Sequence, residues 1–127
     1  MRRKKILIID DESSITRLLK LNLENTGFYT VREENHGAQG LSTARDFKPD
    51  LVLLDVMMPD MDGGDVAALF QKDPVLKRTP IVFLTAAVKK DELAARGNII
   101  GGFPYIAKPL DVRGVLEAIE QNLDKAA

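Results

Sequence analysis

Among its 127 residues the chain has no cysteine and a single histidine, His36. Disulfides, thiolate nucleophiles and cysteine-rich metal sites are therefore excluded, and a His-rich zinc or non-haem iron site lacks its ligands. Neither charge is in excess: 18 basic side chains face 19 acidic ones, a formal charge of −1. Nucleic-acid and membrane-surface proteins normally carry a basic surplus, so the balance argues against both. Long apolar runs are missing as well. After Arg2-Arg3-Lys4-Lys5 the first run, Ile6 to Ile9, stops at Asp10-Asp11-Glu12, far short of a secretion-signal core, and no stretch approaches a membrane span. The basic start reads as a solvated lead-in to a first strand, and the expected location is the cytoplasm. Gly63-Gly64 and Gly101-Gly102 fit neither the dinucleotide nor the P-loop glycine spacing, so nucleotide binding of those kinds has no support.

What is present suits one domain, expected to fill residues 1–127 without linker or repeat. Short runs rich in Val, Ile and Leu alternate with stretches of helical spacing. Ile6-Leu7-Ile8-Ile9 reads as a buried strand. A helix follows from an N-cap at Ser13 or Ser14, with Ile15, Leu18, Leu19 and Leu23 on one face and Gly27 closing it. Phe28 to Val31 predicts a second, more polar strand, and Asn35 the cap of a weak helix through Ala38, Leu41 and Ala44. Leu51 to Leu54, Ile81 to Leu84 and Phe103 to Ala107 predict three further strands. The intervening helices fall over Asp65 to Gln71, Val88 to Arg96 and Val112 to Leu123. Strand and helix alternating five times imply an α/β fold: a doubly wound, five-stranded parallel sheet with right-handed crossovers.

Ligands of such sheets bind beyond the carboxyl ends of the strands. There the first strand delivers Asp10 and Asp11, the third Asp55, the fourth Thr85 and the fifth Lys108-Pro109. Three carboxylates brought together repel one another unless a cation joins them. An oxygen-only set without His or Cys suits Mg²⁺, which keeps open positions for phosphoryl oxygens. Lys108 can meet one phosphoryl oxygen and Thr85 can donate to another, the positioning and charge neutralisation that phosphoryl transfer requires. Asp55 is the one charged residue from Leu51 to Pro59, where a carboxylate is costly without a role, and is the candidate nucleophile.

Each residue alone has a plainer reading. Asp10-Asp11-Glu12 suits the N-terminus of a helix through its dipole; Asp55 could be a structural carboxylate, Lys108 a surface charge, Thr85 a strand end and Tyr105 packing. His36 reads as a surface residue, and Met57, Met58 and Met61 as loop and core filling. Their joint register is what favours a site.

The set Asp10-Asp11, Asp55, Met58-Pro59-Asp60-Met61-Asp62-Gly63, Thr85-Ala86, Tyr105 and Lys108-Pro109 resembles the receiver domains of two-component response regulators, along essentially the whole chain. The resemblance implies a flavodoxin-like (βα)5 fold with strand order 2-1-3-4-5. It implies that Asp55 accepts a phosphoryl group from a phosphohistidine on a histidine kinase or phosphotransfer protein. It makes Asp11, Asp55 and the backbone carbonyl of Met57 direct Mg²⁺ ligands, with Asp10 acting through water. It pairs Lys108 with the phosphoryl group, makes the Lys108-Pro109 bond cis, and lets Thr85 and then Tyr105 switch a face formed by the fourth helix, fifth strand and fifth helix. The output would be a partner protein or an effector domain outside these residues, and a homodimer through the fourth and fifth helices stays open.

The glycines of Arg96-Gly97-Asn98-Ile99-Ile100-Gly101-Gly102 depart from the common pattern and predict a short or mobile end to the fourth helix. Met57, two residues past Asp55, cannot orient an attacking water, and no special acceleration of self-dephosphorylation is expected. Two alternatives stand beside the receiver reading. An aspartyl-phosphate phosphohydrolase of the haloacid-dehalogenase kind needs a carboxylate where Met57 stands. A receiver-like module that is never phosphorylated typically loses one of the acidic, Thr or Lys positions, all of which are kept here.

Overall fold

The computed structural model describes residues 2–123; Met1 and residues 124–127 of the expected domain lie outside the described residues. The elements are β1 (Lys4–Ile9), α1 (Ser13–Asn25), β2 (Tyr29–Glu34), a 3-10 turn (Gly37–Gln39), α2 (Gly40–Phe47), β3 (Leu51–Asp55), α3 (Gly63–Lys72), β4 (Ile81–Thr85), α4 (Lys90–Ala95), β5 (Ile99–Ile100), β6 (Phe103–Ala107) and α5 (Val112–Leu123).

The sheet runs β2-β1-β3-β4-β6-β5, with every pair parallel except the last. The expected order of five parallel strands therefore holds, with β6 as the fifth, and the expected strand count is corrected to six. The added strand comes from the glycines that looked like a disrupted helix end. Ile100 pairs with Phe103 across Gly101-Gly102, whose φ of +60° and +85° suit a two-residue hairpin turn that side chains with a Cβ rarely tolerate. The chain thus leaves α4 after only six residues and doubles back along β6 instead of extending the helix.

Other boundaries shift for local reasons. β2 continues to Glu34 because Arg32, Glu33 and Glu34 pair with Leu7, Ile8 and Ile9 at the sheet's edge, where polar side chains are tolerated. Phe28 lies outside the strand and is exposed. Glu12, not a serine, occupies the N-cap of α1, and its carbonyl accepts the Ile15 and Thr16 N–H groups. Asn35 caps no helix; its side chain donates to the Asp10 carbonyl at 2.8 Å and to Thr16 Oγ1 at 3.0 Å. α3 begins two residues earlier than expected, at Gly63.

Because helices cover both faces of the sheet, alternate residues of its central strands enter two separate cores. Ile6, Ile8, Leu51, Leu53, Val82 and Leu84 pack under α1 and α5 against Leu19, Leu23, Val115 and Ile119. Leu7, Ile9, Val52, Leu54, Ile81 and Phe83 pack on the other side against Ala44 of α2 and Val66 and Phe70 of α3. Each such side chain, once fully buried, contributes roughly 1.5–3 kcal/mol of transfer free energy. The central strands are held rigidly on both faces, so the loops at their carboxyl ends spring from a fixed platform. Among the described residues no helix is long and apolar enough to cross a membrane.

Candidate functional site

Two adjacent parallel strands, β1 and β3, bring the acids together. β1 and β3 run side by side with Ile9 opposite Leu54, so Asp10 and Asp55 leave the sheet at the same level. One carboxylate oxygen from each of Asp10, Asp11 and Asp55 lies within 4.8 Å of the others. Asp10 is fully buried and Asp55 nearly so, while Asp11 is exposed and leaves one side open to solvent.

The two oxygens of Asp10 have different tasks. Oδ1 accepts the Glu12 N–H at 3.0 Å and turns the chain into α1. Oδ2 is buried without a hydrogen bond, although the Lys108 ammonium approaches it at 3.0 Å. A buried carboxylate oxygen is costly in a neutral surrounding and is suited to a cation, here the Lys108 ammonium beside it. With three carboxylates and no nitrogen or sulfur donor, the residues present fit a hard divalent ion such as Mg²⁺.

Lys108 comes from the end of β6. Thr85 pairs with Ala107 across the β4–β6 boundary, and the Lys108 N–H donates to the Thr85 carbonyl at 2.7 Å, leaving the Lys108 side chain beside the acids. Its Nζ lies 3.0 Å from Asp10 Oδ2, 3.3 Å from Asp55 Oδ1 and 3.3 Å from Glu12 Oε1. Burial alone would lower the lysine pKa, but Asp10 and Asp55 outweigh it and hold the ammonium above its ordinary value. Asp55 is pushed up from 3.8 to about 6, first by burial and then by the Asp10 charge, with Lys108 opposing both. The site is overloaded with negative charge that one ammonium does not balance.

The remaining expected residues are placed less centrally. Thr85 is buried at the end of β4, next to the position level with Asp55, and its Oγ1 accepts the Ala87 N–H at 3.0 Å, so its loop is folded back on it. Met57 is 72% exposed at the mouth of the site and brings no acid or base where a phosphohydrolase would need one. Tyr105 is half-buried on β6, its ring centroid 5.0 Å from that of Phe83 and away from the acids. The Lys108-Pro109 bond is cis. His36 is exposed, as expected. Glu12 joins the site as well: its position directly after the aspartate pair is the one signal in the sequence, and only the fold shows that it reaches Lys108. Asn35 holds the Asp10 backbone instead of capping a helix.

The chain is thus an open, doubly wound α/β protein with an acidic, cation-fitting cluster and a lysine at the carboxyl edge of its sheet. The chain belongs to the response regulator receiver domain family, whose model matches residues 6–120. It is 33% identical over 124 residues to the polar-differentiation response regulator DivK of Brucella anthropi, covering 97% of this chain and 98% of that one. It is 41% identical over 125 residues to the alkaline phosphatase synthesis transcriptional regulatory protein PhoP of Bacillus subtilis, where 97% of this chain spans only 50% of the relative. Among solved structures, a CheY-like response regulator receiver domain protein from Methanospirillum hungatei superposes with a TM-score of 0.81 at 28% identity, covering 98% and 97% of the two chains. Chemotaxis protein CheY4 of Vibrio cholerae gives 0.81 at 26% identity, covering 95% and 99%. The protein is therefore a receiver-type signalling domain of two-component systems, a family that generally binds Mg²⁺ at an acidic pocket and works with histidine kinases and output effectors.

Proposed function

We propose that this chain is a phosphorylation switch in which Asp55 accepts a phosphoryl group from a phosphohistidine of a histidine kinase or histidine phosphotransfer protein. The observation that supports it best is the meeting of Asp10, Asp11 and Asp55 within 4.8 Å, with the Lys108 ammonium 3.3 Å from Asp55. Asp11, Asp55, the Met57 carbonyl and Asp10 would hold the Mg²⁺. When bound, the ion neutralises the carboxylates and the charge that develops on the phosphoryl oxygens.

An Asp55 oxygen attacks phosphorus, the P–N bond to the donor imidazole breaks, and the imidazole leaves with that electron pair and takes up a proton. Lys108 then pairs with a phosphoryl oxygen, exchanging its contact to Asp55 for one with the new group. Thr85 surrenders its bond from the Ala87 N–H and donates its hydroxyl to another phosphoryl oxygen, drawing the β4–α4 loop inward. Tyr105 moves further inward beside Phe83, and the face made by α4, β6 and α5 changes its fit to an output partner or effector domain. Thermodynamically this is a two-state element biased by one local charge change.

The test is intact-mass spectrometry after incubation with acetyl phosphate, with and without Mg²⁺. One added phosphoryl group is expected, lost on chelation and in Asp55→Asn. No adduct under any condition would instead favour a module that acts without phosphorylation.

A further inference from the structure

The loop after β3 carries the Met57 carbonyl, yet its tip is poorly anchored by its own backbone. Gly63 N–H closes the loop on the Val56 carbonyl at 2.8 Å. Among the described residues, Met57 to Met61 take part in no backbone–backbone hydrogen bond. What holds the tip comes from the neighbouring β2–α2 loop. Asp60 accepts the Gly37 N–H at 3.2 Å on one oxygen and the Ala38 N–H at 2.9 Å on the other. These are early N–H groups of the 3-10 turn, which have no partner inside it. Beside them the two loops touch: a Cβ on Gly37 would lie 2.9 Å from the Met61 carbonyl oxygen and 3.0 Å from Met58 Cε. Met58 itself is buried.

The same loop is tied to the other acidic segment. Two residues before Gly37, the Asn35 side chain donates to the backbone carbonyl of Asp10 and to the buried Thr16 hydroxyl, which in turn donates to Glu33 Oε1 at 2.7 Å. His36 N–H is held by Glu34 Oε2 at 3.0 Å. One short stretch, Asn35 to Ala38, thus grips the Asp10 backbone at one end and the acceptor loop at the other.

We propose that Asn35 to Ala38 form a strut setting the separation of the Asp10-Asp11 and Met57 segments, with Asn35 and Asp60 as positioning residues for the divalent-ion site. This rests on the Mg²⁺-dependent reading above. Neither residue need touch the ion; each acts by orienting a segment that does, and loss of such a partner typically weakens metal affinity by about tenfold or more.

The test is Mg²⁺ titration of the full chain by calorimetry, with amide hydrogen exchange at Gly37 and Ala38 read in parallel. Asp60→Ala is expected to weaken Mg²⁺ binding about tenfold and to speed exchange at both amides, with the metal-free melting midpoint little changed. Asp60→Asn keeps one acceptor oxygen and should fall between. Asn35→Ala should weaken binding comparably through the other end. Asp62→Asn removes a charge from the same loop at a side chain that forms no cap bond, and should leave affinity within about twofold. Unchanged affinity in Asp60→Ala, or equal loss in Asp62→Asn, overturns the strut, the latter by assigning the effect to charge alone. A wild-type chain that binds no Mg²⁺ overturns the underlying reading itself, a result distinct from either.

Discussion

Replacing Asp55, the proposed acceptor, by Asn is expected to stabilise the metal-free protein. Asp55 is only 5% exposed, and burial followed by the Asp10 charge raises its pKa from 3.8 to about 6. An acid whose pKa is higher in the folded state binds more protons there than when unfolded. Its contribution to stability is therefore most favourable at low pH and is lost as pH rises between about 4 and 6. Above that window the ionised group sits where it is disfavoured. The rise from 3.8 to about 6, at roughly 1.4 kcal/mol per pH unit, sets an upper limit of about 3 kcal/mol. Asn keeps the shape and removes the charge, and Lys108 retains Asp10 at 3.0 Å and Glu12 at 3.3 Å, so no cation is stranded. Urea unfolding in EDTA at pH 7 should show Asp55→Asn more stable by about 1–3 kcal/mol, with the gap closing as pH falls from 6 to 4. Adding Mg²⁺ should narrow the gap at pH 7, because an ion bound more tightly by the folded wild-type site stabilises it by RT ln(1 + [Mg²⁺]/Kd). A variant less stable than wild type in EDTA at pH 7, or a gap that ignores pH, would refute the claim that the site is strained by unbalanced negative charge.

Two further outcomes are expected. Gly63→Ala places a Cβ 2.3 Å from the Asp55 carbonyl oxygen and 2.9 Å from Val56 Cα, both backbone atoms that cannot swing aside, and should cost about 3 kcal/mol in urea unfolding; a loss below about 1 kcal/mol would contradict that packing. Met57→Asn should release its phosphoryl group at least as fast as wild type, since the exposed apolar side chain cannot hold a water, whereas an amide can. Following first-order loss of the adduct by mass spectrometry decides it, and a much slower decay in the Asn variant counts against this role for Met57.

Much of this protein was legible without coordinates because its strands are buried on both faces. Ile6 to Ile9, Leu51 to Leu54 and Ile81 to Leu84 are uninterrupted apolar runs, and a chain that must turn between them exposes its polar groups where each run stops. Asp10, Asp55, Thr85 and Lys108 were therefore readable as neighbours from position alone, since parallel strands end at one edge. Features that depend on contacts between distant segments were not readable. The glycines at 101 and 102 are consistent with a failed helix or a hairpin, and only pairing of Ile100 with Phe103 against β6 selects the hairpin. Asn35 offers the same side chain to a helix N-terminus or to a carbonyl 25 residues away, and the packing of β2 beside β1 decides for the latter. Which groups reach the edge of the sheet follows from hydrophobic period and strand length, both local properties of the chain. How those groups are paired and propped depends on packing between distant segments, because a hydrogen bond such as that from the Gly37 N–H to Asp60 exists only once two loops lie side by side.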